Sequence, residues 1–246
     1  MNVRHTIAKN VATFFENGSF VNLGVGIPTL SANYVPDGTE YILHAEDGFA
    51  GAGKTIPFPW GDNFYDLKAV EEGLKELGDD KGCNWETGHR DLCDASNSLV
   101  VLQPGASCFD SSVSFAMARG GHLDMTVLGG LQVDEAGNLA NWIVPGGRIN
   151  GMGGAMDLVS GAKKVIVAME HCAKSGNPKI LKKCTMPLTA IECVDVIVTE
   201  LAVIEFHNKK MTVMAINPDI TEKELQDKTE AELTFSENIK EMYIVN

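Results

Sequence analysis

The chain reads as an α/β protein: an open, mixed and largely parallel sheet flanked by helices, folded as a single domain over residues 1–246. Two observations carry this reading. Apolar runs rich in Val, Ile and Leu recur from TEYILHA through NSLVVLQ, DMTVLGG, KKVIVAM, VDVIVTE, AVIEFH and MTVMAI, with helix-sized segments between several of them. Strands buried on both faces of a parallel sheet read as such unbroken runs. The second observation is length, since 246 residues can bury a substantial core without a disulfide framework.

Taken in order, residues 3–16 place Val3, Ile7, Val11 and Phe14 or Phe15 on one helical face, and Gly18 follows as a stop. FVNLGVG supplies a strand near 20–24, and Pro28 then sits where the first turn of a helix, TLSANYV, tolerates a missing amide. ILHAEDGFAGAG ends a strand at Ala45 and enters a turn allowed by Gly48, Gly51 and Gly53. FYDLKAVEEGLKEL predicts about three helical turns, with Gly73 weakening them by about 1 kcal/mol relative to alanine. The closely spaced runs of 194–216 predict antiparallel neighbours and a hairpin near HNKK.

The net charge of −13 would repel nucleic acid and anionic membranes, so neither is expected as a partner. The charge is uneven. Residues 60–94 carry ten acidic and four basic side chains and residues 219–246 carry eight and three, leaving −2 for the rest of the chain. No stretch approaches the roughly 20 apolar residues of a membrane span, and MNVRHTIAKNVATFF lacks the continuous apolar core of an export signal. A cytoplasmic location is expected. Cys83, Cys93, Cys108, Cys172, Cys184 and Cys193 are accordingly read as free thiols.

The stretch most informative for chemistry is the acidic turn. Glu46 and Asp47 are adjacent and so point to opposite sides, which does not supply the facing carboxylates of glycosidic acid/base work. One of them can point into a cleft at the carboxyl end of a strand, although from the spacing alone an Asp-Gly turn with solvated charge is the preferred reading. A carboxylate that attacks a carbonyl or thioester needs donors for the resulting oxyanion. The glycines of NLGVG (Gly24, Gly26) and GMGG (Gly151, Gly153, Gly154), with Asn22 at a strand end, can provide closely approaching backbone and a polar side chain. Each taken alone is a tight turn.

Other constellations are less specific. Thr29 stands where a dinucleotide fingerprint needs its third glycine, and no phosphate-loop lysine follows. Lys163, Lys164, Lys174, Lys179, Lys182 and Lys183 could meet a phosphate-bearing substrate or form a solvated face. Cys83, His89 and Cys93 could hold zinc if their loop curls, but they lack a Cys-x-x-Cys knuckle, and free cysteines in a surface loop are the preferred reading. Cys108 and His122 are not placed together by anything in the sequence, His44 is given no catalytic role, and His171 and Cys172 look structural.

In order along the chain, VNLGVGIP, AEDGFAGAG, GGHLDMTVLGGLQVDEAGNLANWIVPG and GMGGAMDLVSGAKKVIVAMEH closely resemble the beta subunit of the family I CoA-transferases, the 3-oxoacid and acetate or butyrate:acetoacetate group. The resemblance implies a CoA-transferase-like fold and a ping-pong transfer of CoA between a short-chain acyl-CoA and a carboxylic acid. It implies Glu46 as the nucleophile, passing through an acyl-glutamyl anhydride and a glutamyl-CoA thioester. Asn22 and the Gly154 amide match the groups that stabilise the oxyanion or carbonyl, and Gly24, Gly26, Gly48, Gly151 and Gly153 match substrate loops. It implies coenzyme A as substrate, no tightly bound cofactor or metal, and an alpha subunit in an α2β2 or larger assembly.

The departures are specific. Ala45-Glu46-Asp47-Gly48 stands where the family pattern is Ser-Glu-Asn-Gly, placing a second carboxylate beside the nucleophile. Residues of about 54–90 form an acidic insertion relative to short members. An acyl-CoA hydrolase using the same glutamate, or a catalytically weakened structural partner, are the alternative readings.

Overall fold

The computed structural model describes residues 1–56, 92–95, 99–146, 153–207 and 209–246. Nearly all of the expected insertion, its expected helix, Cys83, His89 and Gly151 lie outside the described residues.

Five parallel strands form the centre: β1 (Ser19–Leu23), β2 (Tyr41–Ala45), β5 (Met125–Gly129), β8 (Val165–Ala168) and β10 (Val196–Val198), in the order β10-β8-β5-β1-β2. Beside β2, an antiparallel pair, β3 (Phe49–Ile56) and β4 (Leu99–Cys108), extends the sheet. Beside β10 lie β11 (Ala202–His207), β12 (Lys210–Ile216) and β13 (Thr234–Glu241), completing ten strands. The β11–β12 pairing is antiparallel and closes at His207↔Lys210, where the hairpin is expected from HNKK.

The period-2 alternation of the strands sorts side chains onto two cores. On β8 and β10, Ile166, Ala168, Val196 and Val198 face the helix α1 (Val3–Val11), with Ile7, Val11 and Phe15 above them. Val165, Val167 and Ile197 face the opposite core, which contains Leu158 of a second helix. Each fully buried Ile or Leu contributes about 1.5–3 kcal/mol relative to exposure. The TLSANYV helix is shorter than expected: α2 (Ile27–Leu30) gives way to a 3-10 turn over Ser31–Tyr34. Two further helices, α3 (Ser111–Arg119) and α4 (Ala155–Gly161), pack on each other.

Two expectations need correction. FAGAG is a strand, not a continued turn: only Gly48 belongs to the turn, and Gly51, at φ +91°, lies within β3 at a register irregularity. A Cβ at Gly51 would stand 2.8 Å from the Ala106 Cβ, so the glycine serves close strand approach. β4 runs through Pro104 because it is the outermost strand, where a missing amide is tolerated. The single sheet is also joined by a second, small one. Its strands are β7 (Leu139–Ala140), β6 (Gln132–Asp134) and β9 (Ile180–Leu181), in that order, and they are too short to announce themselves by periodicity.

Residues 243–245 return to α1. Asn10, 3% exposed, donates to Tyr243 O at 2.8 Å and accepts from Tyr243 N at 3.1 Å, while Val245 O accepts from Asn2 N at 2.7 Å. Helix α5 (Glu222–Asp227) begins with a capping box between Thr221 and Glu224, which gives part of the acidic 219–246 segment a defined task at a helix N-terminus.

His171 is fully buried between Thr199 Oγ1 (3.0 Å) and Thr229 Oγ1 (2.9 Å), and so is structural, as expected. Burial, with Lys228 and Lys179 adding, pushes its pKa down to about 4 from 6.5. The unfolded chain takes up this proton below about 6.5 and the folded protein only near 4. The stabilisation is therefore complete above that window and lost as pH falls through it, by about 3 kcal/mol in total. Denaturant titrations at stepped pH should show this loss in the wild type and a markedly flatter profile in His171→Gln.

Candidate active site

Parallel strands deliver their carboxyl ends to one edge of the sheet, and in open α/β sheets ligands bind there. β2 ends at Ala45, and a tight turn follows in which Gly48 N donates to Ala45 O at 3.1 Å. Gly48 has φ +129°, and a Cβ there would collide with Phe109 O, so only glycine fits. The turn overrides simple strand alternation. It carries Glu46 to a cavity of about 220 Å³ that is also lined by Asn22, His44, Asp47 and Cys93.

Glu46 is part-buried. Burial raises its carboxyl pKa above the ordinary range, with the charges of Asp47 and Asp157 adding to the effect. Repulsion from Asp47 thus acts in the expected direction but is second to desolvation. Asp47 is itself raised by burial. Gly154, at the start of α4, abuts the nucleophile candidate: a Cβ there would lie 2.8 Å from Glu46 Oε2 and 2.6 Å from Phe115 Cε1.

Asn22, 2% exposed on β1, lines the same cavity. Its amide nitrogen donates toward His44, with Nδ1 at 3.2 Å and the backbone oxygen at 3.3 Å. Both are longer than the usual 2.9–3.0 Å. Three residues far apart in sequence, Asn22, Glu46 and Gly154, thus meet at one edge. A part-buried carboxylate beside glycine backbone, with a side-chain amide in the same cavity, can act as a nucleophile toward an activated acyl group.

Gly24, Gly26 and Gly153 surround this site without lining the small cavity. Gly24 N donates to Val127 O at 2.8 Å, and a Cβ there would stand 3.1 Å from the same oxygen. Gly26, at φ +90°, borders a larger cleft of about 740 Å³ at the ends of β1, β5 and β8. Lys174, Lys179 and Cys172 line that cleft. Lys163 instead bonds Asp124 at 2.7 Å, and Lys164 lies over the Phe14 ring.

Sequence reasoning missed two participants. His44 has a place in the site, 4% exposed between Asn22 and Ser114. Cys93 is a cavity-lining thiol whose pKa is raised by burial and by Asp47 and Asp94. Among the described residues no group of three His, Cys, Asp or Glu side chains could hold a metal ion. Likewise no helix there is long and apolar enough to cross a membrane. Cys108 ends β4 on the surface, and no contact among the described residues joins it to His122.

The sequence profile described as Coenzyme A transferase matches residues 90–228. The beta subunit of the acetate CoA-transferase of Escherichia coli K12 is 46% identical over 231 residues, covering 94% of this chain and 93% of its own. A probable succinyl-CoA:3-ketoacid coenzyme A transferase subunit of Bacillus subtilis is 40% identical, covering 96% and 97%. The fold superposes on the acyl-CoA transferase YdiF of E. coli O157:H7 with a TM-score of 0.72 at 20% identity, over 98% of this chain and 43% of that one. The matches define an acyl-group-handling transferase of α/β class, and the part-buried carboxylate lies at the carboxyl edge of its largely parallel sheet. The chain belongs to the coenzyme A transferase family.

Proposed function

We propose that this chain is the beta-type half of a ping-pong CoA-transferase in which Glu46 is the covalent nucleophile. The observation that carries this reading is the part-buried Glu46 carboxylate set against the Gly154 backbone in a small cavity. Glu46 attacks the thioester carbonyl carbon of an acyl-CoA, the C–S bond breaks, and CoA leaves as thiolate. The thiolate then attacks the Glu46 carbonyl of the anhydride, releasing the first carboxylate and leaving a glutamyl-CoA thioester. An incoming carboxylate reverses both steps, so no oxidant, reductant or net proton is required.

Asn22 and the Gly154 amide serve the oxyanions of these steps. The long bonds from Asn22 to His44 make one of its hydrogens the inexpensive one to redirect, because a bond to an oxyanion is charge-assisted and stronger. The cavity is smaller than the roughly 300–1,000 Å³ of drug-sized pockets, which suits an acid of a few carbons such as acetate, acetoacetate or butyrate. Relatives named for acetate and for 3-ketoacids support that range.

Coenzyme A acts as a substrate, and Lys174 and Lys179 in the larger cleft can meet its phosphates. The relatives are themselves named as subunits, which supports an alpha-type partner, in an α2β2 or larger assembly. The cytoplasm is its compartment.

The test is mass analysis of the chain assembled with its partner and incubated with an acyl-CoA. A CoA adduct should map to the peptide containing Glu46 and disappear on adding a carboxylic acid. Transfer without any such adduct would overturn the reading.

A further inference from the structure

Four residues from four elements meet behind the site in a chain of hydrogen bonds. Thr126 Oγ1 on β5 donates to Asn22 Oδ1 at 3.3 Å, and Asn22 Nδ2 reaches His44 Nδ1 at 3.2 Å. His44 Nε2 lies 2.8 Å from Ser114 Oγ of α3, and that hydroxyl donates to Ala45 O at 3.0 Å. The direction of every bond follows from donor counts. Ser114 has one hydroxyl hydrogen, and Ala45 O can only accept it, so Ser114 Oγ must accept from His44 Nε2–H. The Asn22 amide nitrogen can only donate, so Nδ1 accepts from it, and burial favours the neutral ring that this requires. The His44 backbone oxygen, which can only accept and lies 3.3 Å from the amide, fixes which end of Asn22 is nitrogen, so Thr126 donates to the oxygen at the other end.

The two ends of the chain matter chemically. Ala45 O belongs to the peptide group that carries the Glu46 nitrogen, so Ser114 holds the plane from which the nucleophile's side chain departs. Asn22 is the amide assigned to the oxyanion. His44 makes no described hydrogen bond to Glu46 or to a reacting atom, yet it joins both ends.

We propose that His44 is a positioning residue: held as the Nε2–H tautomer between Ser114 and Asn22, it aligns the Asn22 donor and the Glu46 turn as one unit. This rests on the ping-pong reading above. It explains why a strand residue adjacent to the turn is a buried histidine, since an apolar side chain would leave the Asn22 amide and the Ser114 hydroxyl without their partners. A displacement of the reacting groups of about 1 Å can cost about 100-fold in rate.

The experiment uses the enzyme assembled with its partner and measures single-turnover formation of the Glu46 adduct, steady-state kcat and KM, and melting temperature. His44→Gln puts an amide nitrogen near the place of Nε2, keeping the Ser114 bond and removing the acceptor for Asn22. It should slow adduct formation about 10- to 100-fold with KM for the acyl-CoA unchanged. In an Asn22→Ala background the same exchange should cost less than about twofold, because the two act through one contact. Ser114→Ala, which frees the Ala45 carbonyl, should lower kcat independently of Asn22.

A His44→Gln enzyme with wild-type adduct formation, or an effect that simply multiplies with Asn22→Ala, overturns the positioning role while leaving the nucleophile assignment standing. If His44→Gln does not fold, an unchanged kcat in Ser114→Ala overturns it instead. Failure of the wild type to form a Glu46 adduct removes both.

Discussion

Glu46→Gln is expected to abolish transfer while leaving the protein folded and more stable. Glutamine keeps the shape of the side chain but cannot form the anhydride, and loss of a covalent nucleophile costs on the order of 10⁴- to 10⁶-fold in kcat. The stability gain has a separate cause. The native fold holds a carboxylate that burial, Asp47 and Asp157 all disfavour, and the amide removes that charge. The raised pKa means that the folded protein binds this proton more tightly than the unfolded chain, so the wild type loses stability as pH rises through the interval above about 4.5. The advantage of Glu46→Gln should be full above the raised pKa and vanish below about 4.5. For the same reason the acid limb of kcat/KM in the wild type should lie above the range of an ordinary glutamate. Residual transfer within tenfold of wild type, or a melting temperature that falls, contradicts this account.

Gly154→Ala should also slow the reaction strongly, though less than loss of the nucleophile. Gly154 has φ −83°, an ordinary backbone conformation, so alanine meets no torsional penalty and its effect is steric alone. The added methyl would lie 2.6 Å from the Phe115 ring and 2.8 Å from Glu46 Oε2. Either the ring moves, at about 1–3 kcal/mol for overpacking, or the carboxylate is displaced from its place against Gly154. The amide itself is kept, and a displacement of the reacting groups of about 1 Å costs about 100-fold in rate. Stopped-flow measurement of adduct formation should show a loss of that order with KM for the acyl-CoA little changed. Combining the exchange with Phe115→Leu, which vacates the ring edge, should restore stability before it restores rate. A Gly154→Ala enzyme with full kcat would show that the close approach of this backbone to Glu46 does not matter to the reaction.

The parts legible in the sequence were those whose physical cause is local. The α1 face of Ile7 and Val11 follows from helical spacing, and the two-sided burial of β8 and β10 follows from continuous apolar runs. The Glu46 turn was marked by the one glycine, Gly48, whose side chain is excluded by Phe109. What stayed hidden depends on distant partners. Gly51 looks like turn chemistry until Ala106 of the neighbouring strand is seen against it. His44 looks idle until Ser114, seventy positions later, and Asn22, twenty-two earlier, close around it. Cys93 lines the cavity from a stretch whose path no periodicity predicts. The resemblance named Asn22, Glu46 and Gly154, but what brings them to one edge lies in strands and helices that meet only in the fold.

The strap from residues 243–245 to α1 bears on the order in which the molecule can be made. Asn10 is buried, and two of the three hydrogen bonds of its side chain are made with Tyr243, 233 positions away. While the chain is being synthesised, the first helix exists for most of that time without the groups that satisfy its interior polar side chain. Contacts of such separation are closed late because the intervening loop entropy must be overcome first. The α1 side of the sheet is therefore completed only after Tyr243 has left the ribosome, and until then the apolar row of Ile7 and Val11 is the surface most in need of protection by a chaperone.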